Sequence, residues 1–148
     1  MSNDALIVAD MENSRIRRVG RRTIETIAGP DGLRRPHDVI TANDGSLLIA
    51  DTDNNRIRRL RETLKDVASV RNPFAIAVGR DGSIYVADPL DDVVRRVRPT
   101  GRLTVVTRRA SNPAGVAVDR NGAVYVADHD RAVILKVLPS GKTSVLVR

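Results

Sequence analysis

The sequence predicts an all-β chain assembled from about four copies of one small antiparallel sheet, and three observations predict it. First, a short phrase recurs at nearly even spacing: IVAD ending at Asp10, LIAD at Asp51, YVAD at Asp88 and YVAD at Asp128. A period near forty, each unit holding several short apolar runs divided by turn residues, is the mark of modules stacked as a propeller or solenoid. Second, the flanking segments align without gaps, as in ADMENSRIRRV, ADTDNNRIRRL, ADPLDDVVRRV and ADHDRAVILKV. Third, 41% of the residues are hydrophobic, enough to build a core and too many for disorder.

Each unit supplies four strands, a to d, and the last unit shows them most clearly. Ala114 to Val118 is predicted as strand a, Val124 to Ala127 as b, Val133 to Leu138 as c and Thr143 to Val147 as d. Asp44-Gly45, Asp81-Gly82 and Asn121-Gly122 tolerate the positive φ of tight hairpins and are expected to join a to b. Pro99-Thr100-Gly101 and Pro139-Ser140-Gly141 mark the c to d hairpin. Runs such as Ile84-Tyr85-Val86-Ala87 lack polar alternation, so strand b is expected to be buried on both faces, as where blades stack. The unit boundaries fall at about 1–29, 30–69, 70–109 and 110–148, within a single domain.

The blade-to-blade phrases PHDVITANDGSLLIAD, PFAIAVGRDGSIYVAD and PAGVAVDRNGAVYVAD resemble the NHL repeat, whose pattern is roughly P-x-G-V-A-V-D-x-x-G-x-x-Y-V-A-D-x-x-N-x-R-I. The resemblance covers nearly the whole chain and implies a β-propeller of four-stranded antiparallel blades. It also implies that the b to c and d to a loops form one face of the disc, the usual binding face in the family.

Aligning Asp10 with Asp51 puts Asn3-Asp4 on the a to b turn, so the first unit is expected to lack its innermost strand. Propellers close with four to eight blades, and NHL relatives commonly use six. Three explanations stay open: a piece of a larger propeller, a half that assembles with another copy, or a strained four-bladed closure. An open arc would leave an apolar blade face bare at each end, and self-association into a larger ring is the expected result.

The chain has no cysteine, which excludes disulfides and thiolate metal sites. No run approaches the eighteen or so apolar residues that cross a bilayer, and Met1-Ser2-Asn3-Asp4 lacks the charged start of a signal peptide. A membrane partner is not expected, and the cytoplasm is the favoured location for the chain as given. If the chain is an excised piece, the presence of an export signal outside it stays open.

A net charge of +7 suggests an anionic partner, nucleic acid above all. Its placement argues otherwise. The b to c loops are rich in Asp against Arg15, Arg56 and Arg131, while the d to a loops add Arg34, Arg35, Arg71, Arg108 and Arg109. Arginines of strand c, from Arg17 and Arg18 to Arg95, Arg96 and Arg98, are expected on a solvated outer rim. RNA recognition wants aromatic platforms, and the chain has only Phe74, Tyr85 and Tyr125, both tyrosines lying in buried strands. RNA binding through Arg-rich loops is therefore an alternative and not the favoured reading.

The aspartate ending every strand b suits hydrogen bonds to loop amides better than a ring of metal ligands. In units one and two it is expected to pair with Arg15 and Arg56, whereas Val93 and Val133 occupy that position in the others. The DTDNN stretch at 51 to 55 lacks the glycine and distal glutamate of a calcium loop. PHDV around His37 resembles the peptidylglycine amidating lyase, in which histidines at this place hold zinc. The sister positions here are Phe74 and Ala114, and one histidine cannot supply three protein ligands. His129 is expected to be solvated. The metal trio of gluconolactonase-like propellers is not identifiable, and no serine elbow or phosphate-cradling loop is present.

The sequence thus points to a non-catalytic binding or scaffolding propeller without cofactor, engaging a protein or peptide at its loop face. His37, Phe74, Arg34, Arg35, Arg71 and Arg109 are the candidate contacts, because they cluster in d to a loops and vary between blades. The alternatives are RNA binding and membership of a metal-dependent propeller lyase or lactonase.

Overall fold

The computed structural model describes residues 5–147, and these fold as four antiparallel sheets in chain order. The first holds β1 (Leu6–Asp10), β2 (Arg15–Val19) and β3 (Ile24–Ala28). The second holds β4 (Pro36–Thr41), β5 (Leu47–Asp51), β6 (Arg56–Leu60) and β7 (Leu64–Ser69), with a 3-10 turn η1 (Thr52–Asn54) between β5 and β6. The third holds β8 (Ala75–Val78), β9 (Ile84–Asp88), β10 (Val93–Val97) and β11 (Leu103–Thr107). The fourth holds β12 (Pro113–Val118), β13 (Val124–Asp128), β14 (Val133–Val137) and β15 (Thr143–Val147). Each sheet is a meander of neighbours in sequence, the blade of a β-propeller. The turn at Asn3-Asp4 lies outside the described residues.

The phrase ending in Asp is strand b of every sheet. β9 is buried at all five residues, because a blade packs against each of its faces. The Asp-Gly and Asn-Gly pairs do close the a to b hairpins, but only the glycines take positive φ, +78° at Gly45, +76° at Gly82 and +82° at Gly122. The turns are longer than two residues. The Gly82 amide donates to the Gly79 carbonyl and the Gly79 amide to the Ser83 carbonyl, so the aspartate sits inside the turn and its carboxylate accepts from the Ser83 amide and hydroxyl.

Three apolar cores fill the three spaces between the four sheets. Ile16, Leu33 and Ile49 join the first two, Leu48, Ile57, Ile76 and Val86 the second and third, and Tyr85, Val94, Val126 and Leu135 the third and fourth. Among the described residues no fourth core joins the last sheet to the first, so the chain is an open arc and the strained four-bladed closure is not adopted. Both end sheets expose apolar side chains: Leu6 and Ile24 at one end, Val145, Leu146 and Val147 at the other.

The strand-end aspartates hold the loops, as expected, but not through the arginines expected. Asp10 pairs with Arg17 at 2.9 Å, Asp51 with Arg58 at 3.4 Å and Asp88 with Arg95 at 2.9 Å. Arg15 and Arg56 stand directly opposite Asp10 and Asp51 in the ladder, while Arg17 and Arg58 stand two residues further along the same face. A guanidinium on that diagonal reaches back along the strand to the carboxylate. Arg56 turns instead to Asp66 on β7. The third sheet therefore keeps the motif despite Val93. Only the fourth departs, with Leu135 in place of the arginine and Arg131 from the loop bonded to Asp128 at 3.3 Å. The inner arginines of strand c are consequently not a solvated rim: the Arg58 and Arg95 side chains are only 16% and 18% exposed.

Candidate functional site

Blade contacts on the b to c face repeat one local device. The last residue of each b to c loop has a left-handed backbone: Ser14, Asn55, Asp92 and Ala132, with φ between 51° and 55°. So does one residue of each d to a loop, namely Arg35, Asn72 and Asn112. The amide of the second donates to the side chain of the first across the blade boundary. The pairs are Arg35 to Ser14 Oγ at 3.1 Å, Asn72 to Asn55 Oδ1 at 2.9 Å and Asn112 to Asp92 Oδ1 at 2.7 Å. These clasps fix the d to a loops and thus the residues just beyond them.

Immediately after each clasp comes a proline and then the entry to strand a. In β4 and β12 the register shifts between Pro36 and Asp38 and between Pro113 and Gly115, so His37 and Ala114 occupy bulge positions. A bulged residue leaves the ladder and its side chain is re-aimed. Phe74 holds the sister position in the third sheet, its amide donating to the Ala87 carbonyl at 3.0 Å.

His37 and Phe74 meet across the boundary between the second and third sheets, ring centroids 4.3 Å apart and planes tilted by 41°. They floor a groove of about 560 Å³. Pro89 and Leu90 form one wall, Leu90 being 63% exposed, and Arg35, Thr52 and Asn72 form another. Asp53, Asp92 and Asp130 stand at the rim. Arg35 pairs with Glu12 at 3.1 Å, which leaves three carboxylates against one guanidinium around the groove, so its rim is acidic. Burial, reinforced by the Arg35 charge, holds the His37 pKa below its ordinary value, so the imidazole is neutral at physiological pH.

The structure brings together three of the six candidate contacts, His37, Phe74 and Arg35. Arg34 lies outside the groove, its amide donating to Asp51 Oδ1 at 2.8 Å, and Arg71 reaches Asp91 at 3.3 Å. Arg109 gives its carbonyl to Arg131. Sequence reading missed Leu90, whereas the acids of the b to c loops were already legible as Asp-rich. Leu90 was hidden because its neighbours in the other units are polar, although an apolar residue in an otherwise polar loop is itself a signal. His129 is solvated, its Nδ1 near Asp130 at 3.1 Å. Among the described residues, no three His, Asp or Glu side chains are grouped to hold a metal ion.

A model of the NHL repeat matches residues 33–60 and 111–133. No curated protein matches the sequence. Among solved structures, virginiamycin B lyase from Staphylococcus aureus, seen as an inactive variant with quinupristin, superposes with a TM-score of 0.82 at 17% identity, over 99% of this chain and 53% of the lyase. A gluconolactonase from Xanthomonas campestris superposes with a TM-score of 0.84 at 18% identity, over 99% of this chain and 59% of the enzyme. A chain of the nidogen–laminin complex gives 0.81 at 18%, covering 95% and 60%. This chain thus spans between half and three-fifths of the length of these propellers, and the likeness is one of fold. The fold is that of a β-propeller, and two of its segments match the NHL repeat.

Proposed function

We propose that this arc of NHL repeats is a non-catalytic binding module, and that its loop face takes a peptide segment of a protein partner in the groove over His37 and Phe74. The observation behind the proposal is the groove itself, two rings in tilted contact and an exposed leucine beside three carboxylates. An apolar or aromatic side chain fits such a floor, and flanking lysine or arginine suits Asp53, Asp92 and Asp130. A neutral His37 adds a hydrogen-bonding group without opposing a cationic partner. The nidogen–laminin neighbour is a propeller in a protein complex, which suits the reading; the lyase and lactonase neighbours are enzymes, and at this identity their activities do not transfer.

Selection from a random peptide library tests it, followed by titration of the best peptide. Phe74→Ala is expected to weaken binding by about 2 kcal/mol, the scale of an aromatic anchor. Leu90→Ser should weaken it less, and Arg109→Ala should leave it unchanged. Selected peptides lacking both an apolar anchor and a basic flank, or binding that survives Phe74→Ala, would refute the assignment.

A further inference from the structure

The a to b and c to d turns come together on the opposite face of the blades, since each meander returns them to the same end. The contacts show it: a Cβ on Gly82 would meet Pro99 at 3.5 Å and one on Gly122 would meet Pro139 at 3.6 Å, each joining an a to b turn to a c to d turn. The excess positive charge of the chain is concentrated here. Arg80 and Arg120 occupy a to b turns. Arg21, Arg22, Arg61, Arg98, Arg102 and Lys142 occupy c to d turns. All eight are exposed, and none takes part in an ion pair among the described residues.

The acids of the a to b turns are exposed or partly exposed but engaged by neighbouring groups. Asp44 binds the Ser46 amide and hydroxyl and pairs with Arg59 at 2.8 Å. Asp81 binds Ser83 and pairs with Arg96. Asp119 accepts the Asn121 and Ala123 amides at 2.9 Å each and the Tyr125 hydroxyl at 3.1 Å. Among the described residues of these turns, Asp119 and Glu62 are the carboxylates without an ion pair, two against eight unpaired cations. Two grooves open between the blades, of about 670 Å³ with Lys65 and Arg98 in its lining and about 550 Å³ with Arg80 and Arg120.

From this distribution we propose that the turn face binds the phosphodiester backbone of a single-stranded nucleic acid laid across successive blades, independently of the peptide groove on the other face. Seven of the eight free cations are arginines, which meet phosphate with two parallel donors. They are spread over all four blades, which suits an extended polyanion and not a single phosphate. Protein interfaces need an apolar core, and among the described residues of these turns Leu138 is the one large exposed hydrophobic. The tyrosines near the grooves are covered, Tyr85 by Arg96 and Tyr125 by Lys136, so no base platform is offered and binding is without sequence preference.

Fluorescence anisotropy of a labelled thirty-nucleotide oligo-deoxythymidine tests the proposal. Binding should weaken steeply with salt. Combined Arg80→Ser, Arg98→Ser and Arg120→Ser, which breaks no ion pair, should weaken binding about tenfold or more at ~50 mM salt and flatten the log–log salt slope by about 2, at ~0.7 per phosphate lost. Combined Arg34→Ser, Arg71→Ser and Arg109→Ser on the other face should change neither. Equal losses from both triples, or unchanged binding in the first with its melting intact, would overturn the assignment. So would polyglutamate competing as well as the oligonucleotide at equal charge, which would make the ligand an acidic protein.

Discussion

Asp88 is fully buried at the end of β9, and one guanidinium, Arg95, answers its charge. Burial pushes its pKa above the ordinary carboxylate value even though the bond from Arg95 pulls the other way. Arg95→Ala therefore strands a buried carboxylate and should cost about 3–5 kcal/mol, read from urea unfolding, whereas Asp88→Asn with Arg95→Met should cost much less. A single variant as stable as the double one would show the pair to be dispensable. A second test falls on Ala132, which ends the fourth b to c loop with no polar side chain and has a left-handed backbone with φ of 51°. A Cβ is penalised there, so Ala132→Gly should stabilise the fold by about 1 kcal/mol and raise the melting temperature by a few degrees. No gain would mean that the strain is relieved by neighbours. The carboxylate clamp was legible in the sequence, since Arg17, Arg58 and Arg95 all follow their aspartates by seven residues. The eye goes to the residue opposite in the ladder, and the diagonal partner emerges only when side-chain length is considered.

At the scale of the strand, turn chemistry and the absence of polar alternation were enough to place all four strands of the last unit to within a residue, because both are local properties of the chain; the c to d turn of the second unit, Arg61-Glu62-Thr63, carries no Pro or Gly to mark it. The groove was less legible, since its residues are brought together by the bulge after Pro36 and by loops from three blades. Asp38 shows what that placement adds. β8 is the inner edge of the third sheet, and Asp38 of β4 reaches across to accept its Ile76 amide at 2.8 Å while also accepting the Val39 amide. No other blade has an acid at this position, where Ala75 and Gly115 stand. Asp38→Ala leaves the edge amide unanswered and should destabilise by about 1–3 kcal/mol. The pH dependence has a definite sign. Burial raises the Asp38 pKa above 3.8, so ionising the group costs more in the fold than in the unfolded chain. The stability advantage of the parent over Asp38→Ala should be largest at acid pH and shrink as pH rises from about 3.8 through the raised folded value. An advantage that grows with pH instead would mean that the two amides outweigh desolvation.

For the molecule as a whole, the decisive fact is that three cores serve four blades. In the second blade, whose outer strand β7 is flanked by the third, Leu64, Val67 and Ala68 are partly covered, while the matching strand β15 leaves Val145, Leu146 and Val147 half exposed. Ile24 and Leu6 are still more exposed on the first sheet. Apolar surface of this kind, continuous with a blade face, marks an interface or leads to aggregation. The isolated chain should therefore self-associate through its ends, giving a solution mass by light scattering above 16.2 kDa that rises with concentration. Two copies would bring eight blades to one ring, within the range that propellers close. The net charge of +7 opposes the approach, so added salt should strengthen the association as screening sets in at a Debye length of ~8 Å, the reverse of the effect expected for nucleic acid. Val145→Lys with Val147→Lys should abolish the association without lowering cooperativity of unfolding, because neither side chain belongs to the three cores. A monodisperse monomer with a cooperative melt at every concentration would show instead that the bare blade faces are tolerated in water.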